Sequence, residues 1–375
     1  MNDMKIKTIF INISLFIFLY LISDFLFSRF YFKQSVDHKC YEHVNNGTFY
    51  KMKKNCFANM RLISSIDSFK VYTDKNGYRY SGNERLHKDE NIIFLGDSQT
   101  FGVGSNWENT FVGMLEKKFK KYNFFNLSVP SYSPAVYNYS LKKFLEKHNI
   151  NINKIFVLID LTDVSDEANR WEIIEEMPNL KNEKIFYKKN KGFSKFKKEN
   201  FKGLYLISSK IRSYLRKFKS IQAAEYSEKV YQPVNGNPTG AYLYTNHEIL
   251  SGCNKKEKKT NWWKCGQIEQ GIVNLEDNII KLANKAKDLE AEFYIIIMPW
   301  PDTLNFGQTK FDWELFASNL CVKSNCKKLI NVFPEFKKIK EEEANWLKKL
   351  YLTNDIHLTK EGNKIVANKI ENNVF

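Results

Sequence analysis

Five short apolar runs punctuate this chain: Ile92 to Leu95, Phe124 to Leu127, Ile155 to Ile159, Phe293 to Met298 and Leu329 to Val332. Helical stretches lie between them. Thr110 to Lys121, Pro134 to Lys147, Gln267 to Leu289 and Glu361 to Glu371 carry apolar residues at helical spacing, as in Ile272, Leu275, Ile279 and Leu282. Buried strands alternating with amphipathic helices predict an α/β fold, a parallel sheet with helices on both faces.

Two regions fall outside this alternation. Residues 28–90 form a leader to the first strand, including a turn-like Thr73-Asp74-Lys75-Asn76-Gly77-Tyr78-Arg79. Residues 167–265 form an insertion too long for a simple connection between a strand and a helix. The expected division is an anchor over 1–33, a leader over 34–90 that packs on the domain, and one domain over 91–375 carrying the insertion. Within the insertion, Leu204, Ile207, Ile211 and Leu215 line one face of a helix that also bears Lys210, Arg212 and Arg216. That helix is read as packing on the body, with a membrane surface or a lid over the site as the alternatives.

The segment from Ile9 to Phe27 is apolar apart from Asn12, its serines and Asp24. At about 1.5 Å per residue it nearly matches a hydrocarbon core about 30 Å thick. Lys5 and Lys7 precede it and no small-residue cleavage site follows, which predicts an uncleaved transmembrane helix rather than a removed signal. All six cysteines come later, in sequence-local pairs: Cys40 with Cys56, Cys253 with Cys265, and Cys321 with Cys326. Three disulfides are therefore expected in an oxidising compartment, so the N-terminus is placed inside and the main domain in the periplasm or outside the cell. Zinc fits poorly, since no pair has C-x-x-C spacing and no histidine accompanies one. The net charge is +16, but the lysines are spread along the whole chain with no compact basic-aromatic module, so nucleic acid is not an expected partner.

The chemistry concentrates at two places. The first is Ile92-Ile93-Phe94-Leu95-Gly96-Asp97-Ser98-Gln99-Thr100-Phe101-Gly102. A strand that stops at glycine presents Ser98 just past its carboxyl end, where open α/β sheets bind ligands. A helix starting there aims backbone N–H groups at a developing oxyanion. A serine nucleophile needs a base, and histidine is the first candidate at neutral pH. Five of the six, His38, His43, His87, His148 and His247, lie in the leader, in a loop, at a helix end or in the insertion. His357 stands apart in Thr353-Asn354-Asp355-Ile356-His357-Leu358-Thr359-Lys360-Glu361-Gly362, leading into the last helix with its own carboxylate. Asp355 is placed to accept from Nδ1–H, fix the tautomer and stabilise the imidazolium.

Together the two motifs resemble the SGNH (GDSL-like) hydrolase family, with its early Gly-Asp-Ser and late Asp/His loop; the likeness runs from about Asn91 to Phe375, excluding the insertion. The resemblance implies a flavodoxin-like three-layer α/β/α fold, Ser98 as the acyl-accepting nucleophile and His357 as its base. It also implies an oxyanion hole from the Ser98 backbone and two further blocks, both altered here. In Asn126-Leu127-Ser128-Val129-Pro130-Ser131, Ser131 stands at the family's glycine, which keeps a backbone N–H. In Asp160-Leu161-Thr162-Asp163, Thr162 replaces the family's asparagine donor. The late loop also departs from Asp-x-x-His, with Asn354 three residues before His357 and Asp355 two before it.

Asp160, Asp163, Asp166 and Glu167 cluster after the third strand and read as a capped, solvated loop rather than a cation site. Asp160 and Asp163 remain weak candidates for sugar hydroxyls, and Trp300 in Pro299-Trp300-Pro301 for stacking on a sugar or filling the rim. No cofactor and no metal is expected. An outward-facing anchored domain of this kind implies serine-dependent hydrolysis of acyl esters, such as acetyl esters, on an envelope glycan. Acyl transfer by the same triad is the alternative, and from another class a catalytically weak glycan-binding or assembly protein.

Overall fold

A computed structural model describes residues 2–32, 35–36, 39–44, 48–61, 68–83, 90–181, 192–212, 214, 268–308, 311–353 and 355–375. The leader contributes β1 (Ser35–Val36), β2 (Tyr41–Val44), β3 (Phe49–Met52), β4 (Cys56–Arg61), β5 (Ser68–Thr73) and β6 (Arg79–Tyr80). The five runs become β7 (Glu90–Leu95), β8 (Tyr122–Asn126), β9 (Lys154–Leu158), then, after a hairpin of β10 (Trp171–Ile174) and β11 (Met177–Leu180), β12 (Glu292–Ile297) and β13 (Lys328–Asn331). They join one nine-stranded sheet in the order β1-β4-β5-β6-β8-β7-β9-β12-β13. The five central strands are mutually parallel. Counted along the chain from β7, they stand in the order 2-1-3-4-5, the flavodoxin-like arrangement whose direction reverses between its first and third strands. The leader does more than pack on this sheet: β4, β5 and β6 extend it antiparallel, with β6 meeting β8 at Arg79 and Asn126.

The helices are α1 (Asn2–Leu26), α2 (Ser98–Phe101), α3 (Phe111–Lys118), α4 (Pro134–Leu145), α5 (Leu161–Ser165), α6 (Gly192–Asn200), α7 (Ile268–Asp288), α8 (Pro301–Phe306), α9 (Trp313–Lys323), α10 (Phe333–Glu342), α11 (Trp346–Leu350) and α12 (Lys360–Val374). Successive side chains of a strand point to opposite faces, and β7 feeds two cores accordingly. Ile93 and Leu95 join Val136, Leu141 and Phe144 of α4 and Leu275, Ile279 and Leu282 of α7. Ile92 and Phe94 join Phe111, Val112 and Leu115 of α3 and Val366 and Ile370 of α12. In the second core the parallel register stacks Phe94 on Phe156 and Phe156 on Tyr294, each pair with centroids 4.8 Å apart. These two buried faces are why the strands read as continuous apolar runs.

Cys40–Cys56 and Cys321–Cys326 are disulfides, with Cα atoms 5.7 Å and 4.9 Å apart. The expected Cys253–Cys265 pair lies outside the described residues, as do Asn354, Leu215 and Arg216. The expected insertion helix runs over residues 202–212; of its expected apolar face Leu204 is half-buried but Ile207 and Ile211 are exposed rather than packed on the body, while Lys202 and Tyr205 face inward. Helix α1 is long and apolar enough to cross a membrane by length and composition.

Candidate active site

The site is assembled at the carboxyl ends of β7, β8 and β9. Just past the end of β7 the chain needs glycine at Gly96, because a Cβ there would lie 2.2 Å from the Thr100 hydroxyl. Asp97 then caps the short helix α2, accepting from the Gln99 N–H at 2.9 Å. Ser98 is the first residue of α2, half-buried, and its hydroxyl donates to Asp97 Oδ2 at 2.9 Å. The far end of α2 is fixed from two sides. Asn126 Nδ2 donates to the Thr100 carbonyl at 2.8 Å. Arg79, fully buried, donates to the carbonyls of Phe101, Gly102 and Ser105. A cation on the carbonyls at a helix end suits the helix dipole, and burial lowers the guanidinium pKa to about 9.

The second half of the site is the loop between α11 and α12. A bridge between Tyr351 and Leu358 closes it, and Leu352 N–H donates to the His357 carbonyl at 2.8 Å. Inside it, Asp355 Oδ1 bonds His357 Nδ1 and also accepts the His357 backbone N–H at 3.0 Å. That leaves Nε2, which is buried and has no hydrogen-bond partner among the described residues. Gln99 joins the two halves. Its Nε2 donates to the Ile356 carbonyl at 3.0 Å, so the residue after the serine holds the residue before the histidine. The sequence offered no signal for this tie, because its acceptor is a backbone carbonyl 257 positions away.

Ser131 has φ +62°, a left-handed conformation that favours glycine. Its carbonyl accepts from Trp171 Nε1 at 2.8 Å. Thr162 is the second residue of α5, after its cap Asp160 and Leu161, and its one hydroxyl proton goes to Asp160 Oδ1 at 2.5 Å. An oxyanion would therefore compete with that bond.

The acidic residues after β9 are buried, not solvated, which corrects the reading of this cluster as an exposed loop. Asp160 accepts the Thr162 N–H at 2.8 Å, and Asp163 accepts the Asp160 N–H at 3.0 Å and the Tyr137 hydroxyl at 2.8 Å. Glu167 accepts from Ser133 Oγ, the Ala135 N–H at the start of α4 and Asn278 of α7. Burial pushes Asp160 up to about 7, helped by the nearby Asp97 carboxylate. Burial also raises Asp97, Asp163, Asp166 and Glu167. Trp300 is buried in the first core at the start of α8, so its ring faces protein.

No family model and no curated protein matches the sequence. Solved structures do match in shape. A member of the lipolytic G-D-S-L family from Veillonella parvula is 10% identical, with 76% of this chain and 98% of that chain covered and a TM-score of 0.41. A catalytic mutant of an acetylxylan esterase from Geobacillus stearothermophilus is 10% identical, with 78% and 97% covered and a TM-score of 0.40.

Proposed function

We propose that the chain is an SGNH-type serine ester hydrolase, held on a membrane by α1 with its domain outside the cytoplasm, acting on acylated envelope glycan. The observation that carries the reading is the Gln99 tie, which fixes the Asp355–His357 pair against the turn that presents Ser98. With Nδ1 held by Asp355, Nε2 is the nitrogen left to take a proton. Rotation of the Ser98 hydroxyl from Asp97 towards Nε2 starts the reaction. Oγ then attacks the acyl carbonyl while the proton passes to His357, and the oxyanion forms near the Ser98 and Ser131 N–H groups. His357 next gives that proton to the leaving sugar oxygen; water, giving a proton to His357, then attacks the Ser98 acyl ester, and the Oγ–acyl bond breaks to release the carboxylic acid as Oγ takes the proton back. A sugar hydroxyl in place of that water makes the same enzyme a transferase.

Asp97 and Asp160 also support a second reading, a weakly catalytic glycan-binding protein, because they engage the Ser98 hydroxyl and the expected oxyanion donor Thr162 internally. Labelling separates the two. Full-length protein treated with a fluorophosphonate should carry the adduct on the Ser98 peptide. Ser98→Ala should abolish it, and His357→Ala should slow it by about 10²–10⁴-fold. Labelling of Ser98→Ala at the wild-type rate would leave the binding reading.

A further inference from the structure

The end of α1 is built into the insertion. Asp24 is buried on α1, and its carboxylate accepts the backbone N–H groups of Gly203 and Leu204, both at 2.8 Å, and the Ser28 hydroxyl at 3.1 Å. Ser28 Oγ accepts the Lys202 N–H at 2.8 Å, and Lys202 Nζ donates to the Phe32 carbonyl. The first N–H groups of helix 202–212, which have no partner within that helix, are thus satisfied by Asp24 of α1 and by Ser28 just after it. Contact is so close that a Cβ on Gly203 would meet the Asp24 carboxylate at 2.8 Å. The Phe25 and Phe201 rings pack beside it, 5.8 Å apart.

This docking sets a level. A carboxylate near the end of a membrane span is costly unless it is hydrogen-bonded, and here it is. A hydrocarbon core of about 30 Å takes about 20 helical residues, which, counted on from Lys7, end close to Ser28. Helix 202–212 therefore starts at the membrane boundary. Its outer face carries Ile207, Lys210, Ile211 and Tyr214, spaced to share one side; the three apolar members are 49%, 55% and 62% exposed. Arg212 is also exposed, about 100° round the helix from Ile211, with its guanidinium donating to the Ser208 carbonyl.

We propose that helix 202–212 is an interfacial membrane helix, with Ile207, Ile211 and Tyr214 turned to the acyl chains and Lys210 and Arg212 against anionic headgroups. The occupant is lipid, because the stripe continues from a span that already ends there and pairs apolar with basic residues, as surface-lying helices do. The proposal rests on the reading of α1 as a span, and the test separates the two.

Full-length protein carrying one added cysteine at a time, Phe16→Cys, Ile211→Cys or Glu172→Cys, is spin-labelled and reconstituted in phosphatidylcholine vesicles with or without phosphatidylglycerol. Collision with oxygen and with a water-soluble nickel complex reports depth. The expected result is a label deep in the bilayer at Phe16, one about 5–10 Å below the headgroups at Ile211, and a water-exposed one at Glu172. Insertion at Ile211 should become shallower without phosphatidylglycerol and on Lys210→Ala with Arg212→Ala. If Phe16 is deep and Ile211 is as nickel-accessible as Glu172, the interfacial helix is wrong and the anchor stands. If Phe16 itself is aqueous, the anchor reading falls and this one with it. Depth at Ile211 indifferent to lipid charge and to both substitutions overturns the headgroup contact.

Discussion

At the residue scale, the proposed catalytic pair and the parts that position it differ in how far the sequence reveals them. Ser98 and His357 stood out because each sits in a local motif with its own strand or helix context. Gln99 and Arg79 did not, because both act on backbone carbonyls that any residue supplies. If Gln99 positions the His357 loop, Gln99→Ala should lower kcat on a soluble acyl ester by about 10–100-fold with little change in KM, since small misplacements of a catalytic group cost on that order. Gln99→Glu should do no better, because an ionised carboxylate cannot donate to the Ile356 carbonyl. Steady-state kinetics of the two variants decide it. A fully active Gln99→Glu would show that the amide N–H is not what matters.

At the element scale, the strands that the sequence shows are the ones buried on both faces. Ile92 to Leu95 feeds both cores, and that alone produces a run without polar interruption. The leader strands were illegible for the opposite reason. β5 alternates exposed and buried residues in Ser68–Thr73, and β6 is two residues long, so neither makes an apolar run. The leader is instead tied by Cys40–Cys56, which closes the β2–β3 hairpin onto β4 across a separation of 16 residues. Replacing both cysteines by alanine should cost about 2–4 kcal/mol of stability. Replacing Cys321 and Cys326, only 5 apart, should cost about 1 kcal/mol less, because a shorter loop removes less chain entropy. Denaturant midpoints in detergent measure both. Equal losses would mean that loop length does not govern these bridges.

For the whole molecule, strand order places the site. The reversal of direction falls between β7 and β9, and the loops leaving those two strands carry Asp97, Ser98, Asp160 and Thr162. Bringing two buried carboxylates to that crevice has a global consequence. Burial raises both Asp97 and Asp160, the Asp97 carboxylate raises Asp160 further, and Asp163, Asp166 and Glu167 are raised behind them. These carboxyls therefore hold protons in the folded protein that the unfolded chain releases, so their contribution to stability falls as pH rises, the opposite of ordinary acid denaturation. For Asp160 the contribution is complete below its ordinary value of 3.8 and is lost as pH rises through about 7. Asp160→Asn keeps an acceptor for the Thr162 N–H and hydroxyl but cannot ionise. Between about pH 5 and about pH 8 its Tm should therefore fall less than that of the wild type. Calorimetry of both proteins across that range is the measurement. A wild-type Tm that falls no more than that of Asp160→Asn would mean that the Asp160 carboxyl does not lose its proton at the cost of the fold.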